Sequence, residues 1–306
     1  MHAVLNIVVA LCHIAVALVL PLFLRGVIIR TKALFAGRVG APLLQPYYDL
    51  VKLLQKGSVF STTTTWVFRV GPVVSLVAVL VASLLMPFGS ETAPISFRGD
   101  ALFFVYLLAL ARFSLSIASL DTGSSFEGMG TTRELTFACL AEPALFFGLL
   151  VTTRLSHSLQ LSNMLGDAIY QGWQAGGASL VLVLVSWFIV LLAENSRIPF
   201  DDPNTHLELT MIHEVMVLDH SGPALGMILY GAALKLFLFC AMIVQVLFPL
   251  HTRFLPIDWA LFVAEVLLVG IVIGLIESSV ARLRMTEIPK LLMTACVLSG
   301  LGILLS

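Results

Sequence analysis

Apolar residues run on for about 20 positions at a time, the length that crosses ~30 Å of hydrocarbon as a helix, and short polar clusters separate the runs. This pattern predicts eight transmembrane helices, at 4–29, 66–88, 101–120, 133–154, 177–195, 224–248, 258–281 and 288–305. The fold class it implies is all-α integral membrane, with interfacial amphipathic helices between the spans. No repeat, low-complexity linker or soluble domain breaks the pattern, so 1–306 reads as a single polytopic membrane domain with inner loops at 30–65, 121–132, 196–223 and 282–287. The first run is too long for a signal peptide, has no basic segment before it and carries its arginines after it; it is expected to remain as a helix.

Two shorter helices are expected in the inner loops. From Gln45 to Lys56, Leu50, Leu53 and Leu54 share one side with Lys52 and Lys56 beside them, the pattern of an amphipathic helix lying in the interface. Farther on, Asp202 suits an N-cap and Pro203 the first helical position, where a missing N–H costs nothing. The apolar run from there to Leu218 is too short to span, so it predicts a re-entrant or interfacial helix lining a cavity or a partner protein.

Charge orients this arrangement. Of 17 basic residues, Arg98, Arg154 and Arg253 fall on one side, Arg112 and Lys235 fall within spans, and the rest cluster in the inner loops and span ends. The positive-inside rule then places both termini outside. The expected location is the cell's inner (cytoplasmic) membrane, with the lipid bilayer as the first partner. A net charge of −1 carries no nucleic-acid signature, and the basic first loop suits lipid headgroups better. Cys12, Cys139, Cys240 and Cys296 stand singly in apolar runs without CxxC spacing, so no iron–sulfur or zinc site is written here. No GxGxxG or GxxxxGK[ST] loop is present either, which excludes the common nucleotide sites.

The chain is 59% hydrophobic and 11% charged, so the position of each ionisable group is informative. Arg112, Glu142, Lys235 and Glu265 fall within spans, and Glu134, Glu194 and Glu277 near inner span ends. Charges of both signs on several helices suggest a polar track of the kind a proton path requires. The competing reading is a set of structural ion pairs fixing helix register, with Lys235 and Glu265 as one pair. Glu134 and Glu142, eight residues apart, lie about 12 Å apart along one side of a helix. Pro143 frees the carbonyl of Cys139, which favours a bend and water beside Glu142.

The densest cluster is Ala193-Glu194-Asn195-Ser196-Arg197-Ile198-Pro199-Phe200-Asp201-Asp202-Pro203, followed by Leu207-Glu208-Leu209. His206, His213 and His220 recur every seven residues behind it, one stripe on a continuous helix. His213-Glu214 lacks the second histidine of HExxH, so the stripe suits a polar face against a neighbouring subunit, or proton handling, better than a metal.

At these residues the chain resembles the membrane subunit shared by respiratory complex I (where it is the quinone-site subunit, known as H or 1) and the membrane-bound group 4 [NiFe] hydrogenases such as formate hydrogenlyase. Gly37-Arg38-Val39-Gly40-Ala41-Pro42, Leu44-Gln45-Pro46 and Asp49-Leu50-Val51-Lys52-Leu53 match the first inner loop of that family. Arg133 with Glu142, then Ala193-Glu194, Arg197, Pro199-Phe200-Asp201 and Glu208-Leu209, match its charged loops.

The resemblance implies a non-catalytic coupling and anchor subunit of an oxidoreductase complex. It would bind no cofactor itself, with iron–sulfur clusters and a [NiFe] site on partner subunits. Those partners are hydrogenase-like large and small subunits, an iron–sulfur subunit and antiporter-like membrane subunits. Glu142, Glu194, Asp201 and Glu208 become the candidates for a path into the membrane, joined by Glu134, Lys235, Glu265, Glu277 and Arg112. Arg38, Arg133, Arg197, His206 and His213 become charge partners or docking residues for the arm. Asp202, Asn204 and His206 depart from the complex I pattern and tilt the expectation toward a hydrogenase-type complex rather than a quinone reductase. A stand-alone ion carrier is the further alternative, although paired broken helices are absent from the sequence pattern.

Overall fold

The computed structural model describes residues 2–201, 212–249 and 254–306. Within them the chain is helical throughout: α1 (His2–Phe35), α2 (Gln45–Gln55), α3 (Trp66–Leu85), α4 (Asp100–Asp121), α5 (Ser125–Ser156), α6 (Leu161–Met164), α7 (Asp167–Gln174), α8 (Ala178–Glu194), α9 (His213–Met216), α10 (Gly222–Leu247), α11 (Leu255–Ser279) and α12 (Ile288–Leu305). Seven of these, α1, α3, α4, α5, α10, α11 and α12, are long and apolar enough to cross a membrane. The remaining predicted span is α8, also apolar but 17 residues long. All eight predicted runs are therefore helices.

Two of them run farther than the hydropathy suggested, α1 at its C-terminal end and α5 at its start. α1 carries Arg30, Thr31 and Lys32 as helix and closes at Gly37, whose φ of 67° lets Gly37 N–H reach Leu34 C=O (3.1 Å) and Arg38 N–H reach Ala33 C=O (2.8 Å). That left-handed residue satisfies carbonyls a helix end would otherwise leave open. α5 begins at Ser125, so most of the predicted loop 121–132 is helix. Its first-turn Glu127 is buried and accepts the N–H of Asp219 (3.1 Å), in the helix-dipole position that favours an anion.

The predicted re-entrant helix is described in part: His213–Met216 forms one turn. Asp202, Pro203, Asn204, His206 and Glu208 lie outside the described residues, as does Arg253. α2 has the predicted extent, and its apolar side packs onto α10, where Gly226 leaves room for Leu50, Leu53 and Leu54. The short α6 and α7 were not foreseen.

α10 is the most enclosed span and packs against α1, α2, α3, α8 and α11. α3 pairs with α4, and α5, α8 and α12 form a second packed group. Small residues permit the close approaches, as is usual between helices in lipid. At Gly148 a β-carbon would fall on the indole nitrogen of Trp187, which is fully buried. Gly148→Ala is expected to destabilise the fold by about 1–3 kcal/mol through overpacking. The measurement is the thermal midpoint of the purified protein, and Trp187→Phe in the same background should recover part of the loss.

Candidate functional site

Four helices bring five ionisable groups together beside the C-terminal end of α8. α4 supplies Arg112, α5 supplies Glu134 and Glu142, α8 ends on Glu194, and α10 supplies Lys235. Arg112 is the hub. One guanidinium nitrogen donates to Glu142 Oε1 (2.7 Å) and the other to Glu194 Oε1 and Oε2 (both 2.8 Å), while Lys235 Nζ lies 3.4 Å from Glu194 Oε2. The side chains of Arg112 and Glu194 are 8% and 5% exposed, but that of Glu142 is 36% exposed. The cluster therefore has an enclosed core and one carboxylate on the outer surface of α5.

Glu134 differs from its neighbours. Among the described residues it makes no hydrogen bond or ion pair of its own, but it stands in the field of Lys235 and Arg112. It lines a cavity of about 50 Å³, which Arg112, Glu194, His213 and Lys235 also line, and a smaller one of about 10 Å³ against Phe137 and Phe200, as do Glu194 and Ser196. The larger space is enough for about three waters. With all three acids ionised against two cations, the formal charge of the group is −1, so one added proton makes it neutral.

A second charge group ties α1, α11 and the segment after α8 together. Glu277 of α11 meets Lys32 of α1 (2.8 Å) and Arg197 (3.3 Å). Asp201 meets Arg282 (2.9 Å) and accepts the N–H groups of Ile212 (2.9 Å) and His213 (3.3 Å). These contacts hold the loop after α8 and the turn α9 against α1 and α11.

Between the two groups lies a cavity of about 420 Å³, with Arg25, Arg197, Asp201, His213, Glu214 and His220 on its polar side and leucines of α10 on the other. His213 lines both this cavity and the 50 Å³ one, as do Asn195 and Ser196. Ser196 sits in left-handed backbone, φ 47°, closing α8 through Ser196 N–H to Ala193 C=O (3.1 Å) and Arg197 N–H to Leu192 C=O (2.9 Å). A non-glycine there costs on the order of 1 kcal/mol and persists only where its surroundings hold it. Asn195 and Ser196 were not among the predicted site residues; their position between Glu194 and Arg197 was the one signal that pointed to them.

Burial pushes both histidines of this region down to about 4, His213 with help from the Lys235 cation and His220 while stacked on Phe68 at 4.0 Å. Both imidazoles are therefore neutral near pH 7. The unfolded chain takes up these protons first as pH falls below 6.5, so stability is flat above 6.5 and declines from there toward pH 4. A thermal melt series across that window should show the decline, and His220→Phe, which cannot be protonated, should make it shallower.

Several predicted pairings differ in space. Lys235 meets Glu194, not Glu265, which lies on α11 away from the cluster. Glu142 takes Arg112 as its partner, while Arg133, one turn along α5 from Met129, donates to that residue's sulfur (3.1 Å). Arg197 serves Glu277. Arg38 is exposed. His206 and Glu208 fall outside the described residues. The cysteines are on α1, α5, α10 and α12, and no three His, Cys, Asp or Glu side chains among the described residues are placed to hold a metal ion.

The family described as NADH dehydrogenase matches residues 5–306. Formate hydrogenlyase subunit 4 of Escherichia coli (strain K12) is 33% identical over 274 residues, 88% of each chain. Hydrogenase-4 component C of the same organism is 29% identical over 284 residues, 91% of this chain and 89% of its own. The H subunit of the NADH-quinone oxidoreductase of a Polaromonas species is 29% identical over 229 residues, 72% of this chain and 62% of its own. A chain of the membrane-bound sulfane sulfur reductase, an archaeal respiratory membrane complex, shares the fold with a TM-score of 0.81 at 18% identity, covering 98% of this chain and 99% of its own.

Proposed function

From the premise that this chain belongs to the NADH dehydrogenase family, we propose that it is the coupling and anchor subunit of a group 4 [NiFe]-hydrogenase-type, formate hydrogenlyase-like complex. It docks the hydrophilic redox arm at the inner face and relays protons into the membrane. The observation that carries this reading is the cluster of Arg112, Glu134, Glu142, Glu194 and Lys235, which lies between the inner cavity and the surface of α5 and changes from −1 to neutral on one proton. Hydrogenase components align over about nine-tenths of the chain, against 72% for the complex I subunit, which favours the hydrogenase side.

In this reading a proton from the inner side reaches the neutral imidazole of His213, which holds one ring proton and accepts another. Glu134 receives it next, since its carboxylate has no direct partner to lose. Protonation weakens the pull of Glu134 on Lys235 and Arg112 and lets the guanidinium favour Glu194, which loosens Glu142 toward a neighbouring membrane subunit. Coupling requires two such charge arrangements. The exposed Arg38 and the charge group around Asp201 and Glu277 face the arm. Iron–sulfur clusters and the [NiFe] site belong to its large, small and iron–sulfur subunits, and antiporter-like subunits stand beside α5. The complex lies in the inner membrane with both termini of this chain outside.

A second reading rests on the 420 Å³ cavity, whose size and apolar wall suit a small-molecule headgroup: the quinone-site subunit of an NADH-quinone oxidoreductase. Two measurements separate these readings. Gentle purification should bring down a nickel-site subunit; an NADH-oxidising arm would support the second reading, and a lone chain with ion flux a carrier. Vesicles carrying the assembled complex with Glu142→Gln should lose proton translocation, and unchanged pumping with unchanged turnover removes Glu142 from the mechanism.

A further inference from the structure

Glu265 takes no part in the cluster. It is the eleventh residue of α11 (Leu255–Ser279), about 15 Å along the axis from Leu255 and close to the middle of the span. Glu134, Glu142, Glu194 and Glu277 all face cations of this chain, whereas Glu265 forms no hydrogen bond or ion pair among the described residues. A carboxyl group at that depth is costly in hydrocarbon and as a rule finds a partner or lines a water path.

The surroundings of Glu265 show where a partner would come from. The buried side of α11, with Val266, Val269, Gly270 and Ile273, faces α1 and α10. On the other side Leu261, Leu268, Val272 and Leu275 are each at least 36% exposed, and Glu265 falls between the first two. The spacing 261, 265, 268, 272, 275 alternates steps of four and three, the seam along which one helix takes the knobs of another. A single polar residue within such a seam fixes the register of the partner helix. An all-apolar stripe would need no occupant but lipid; this stripe has an acid within it.

We infer that the Leu261–Leu275 stripe of α11 is a docking seam for a transmembrane helix of another membrane subunit of the complex, one that presents a cation or hydrogen-bond donor to Glu265 at mid-membrane depth. The other occupants fit less well. Lipid tails offer no donor there. A second copy of this chain across a two-fold axis would set Glu265 against Glu265, since isologous contacts pair a surface with itself. The hydrophilic arm does not reach that depth.

The test uses the assembled complex in native membranes with a benzophenone amino acid in place of Leu268. The expected product is a cross-link to a helix of a different membrane subunit, with a Lys, Arg, His, Asn, Gln, Ser, Thr or Tyr side chain within one turn of the linked residue. Glu265→Leu, which makes the stripe uniformly apolar and leaves insertion unhindered, should lower that yield about tenfold. Cross-links to lipid only or to a second copy, a partner helix without a donor at that depth, or an unchanged yield in Glu265→Leu would each overturn the inference. Glu142→Gln should leave the cross-link intact, so a failure of the proton relay and a failure of the seam are read separately.

Discussion

Arg112→Gln is expected to cost the complex about 3 kcal/mol or more of stability and most of its assembled yield. Breaking an enclosed ion pair by removing one partner typically costs ~3–5 kcal/mol, because the charge left behind has neither solvent nor counter-ion. Here Glu194, 5% exposed, keeps Lys235 at 3.4 Å but loses two contacts of 2.8 Å. Glu142 contributes less to the loss, since its side chain is 36% exposed and is free to turn toward a neighbouring subunit. In charge terms the group passes from −1 to −2, so a second variant follows. Adding Glu142→Gln to Arg112→Gln returns the formal charge to −1 and should recover part of the yield, although the guanidinium geometry is gone. Thermal inactivation and native-gel yield of the two variants are the readouts. A single variant that assembles and melts like the wild type would show that the Arg112 pairs do not hold these helices together.

The spans were legible because each is a long apolar run, and in lipid a helix is the form that satisfies its own backbone. The C-terminal end of α1 and the start of α5 were not, since Lys32 and Glu127 look like loop residues until Glu277 and the Asp219 N–H supply their partners. α6 and α7 carry too few residues for a periodic signal. The ionisable residues of the site were mostly legible, because a charge inside an apolar run stands out, but their pairing was not. Arg112 and Glu194 are separated by 82 positions and meet through the packing of α4 on α5 and of α5 on α8, which no local spacing encodes. For the same reason Lys235 and Glu265, matched by sign and mid-span position, prove to lie apart. Ser196 was marked only by its place between Glu194 and Arg197, since its role is a backbone angle.

Pairing separates the residues that hold the cluster from the one that can change it, and that distinction makes Glu134→Gln the sharper experiment. Glutamine keeps the shape of the side chain and, since Glu134 makes no hydrogen bond or ion pair of its own among the described residues, removes no contact from the fold. Assembly should be retained and the loss of stability should stay near ~1 kcal/mol, the ordinary cost of a single substitution. The formal charge of the cluster, however, is then fixed at zero, the value the wild type reaches only with a proton bound. A group that can neither accept nor release that proton cannot relay it, and loss of a positioned acid–base residue lowers proton transfer by on the order of 10²-fold. Proton uptake by vesicles containing the assembled complex should therefore collapse in Glu134→Gln and return in part with Glu134→Asp, which restores a titrating carboxyl one methylene shorter. Proton movement equal to the wild type in the glutamine variant would make Glu134 a bystander between two cavities and leave the Arg112 pairs as structure alone.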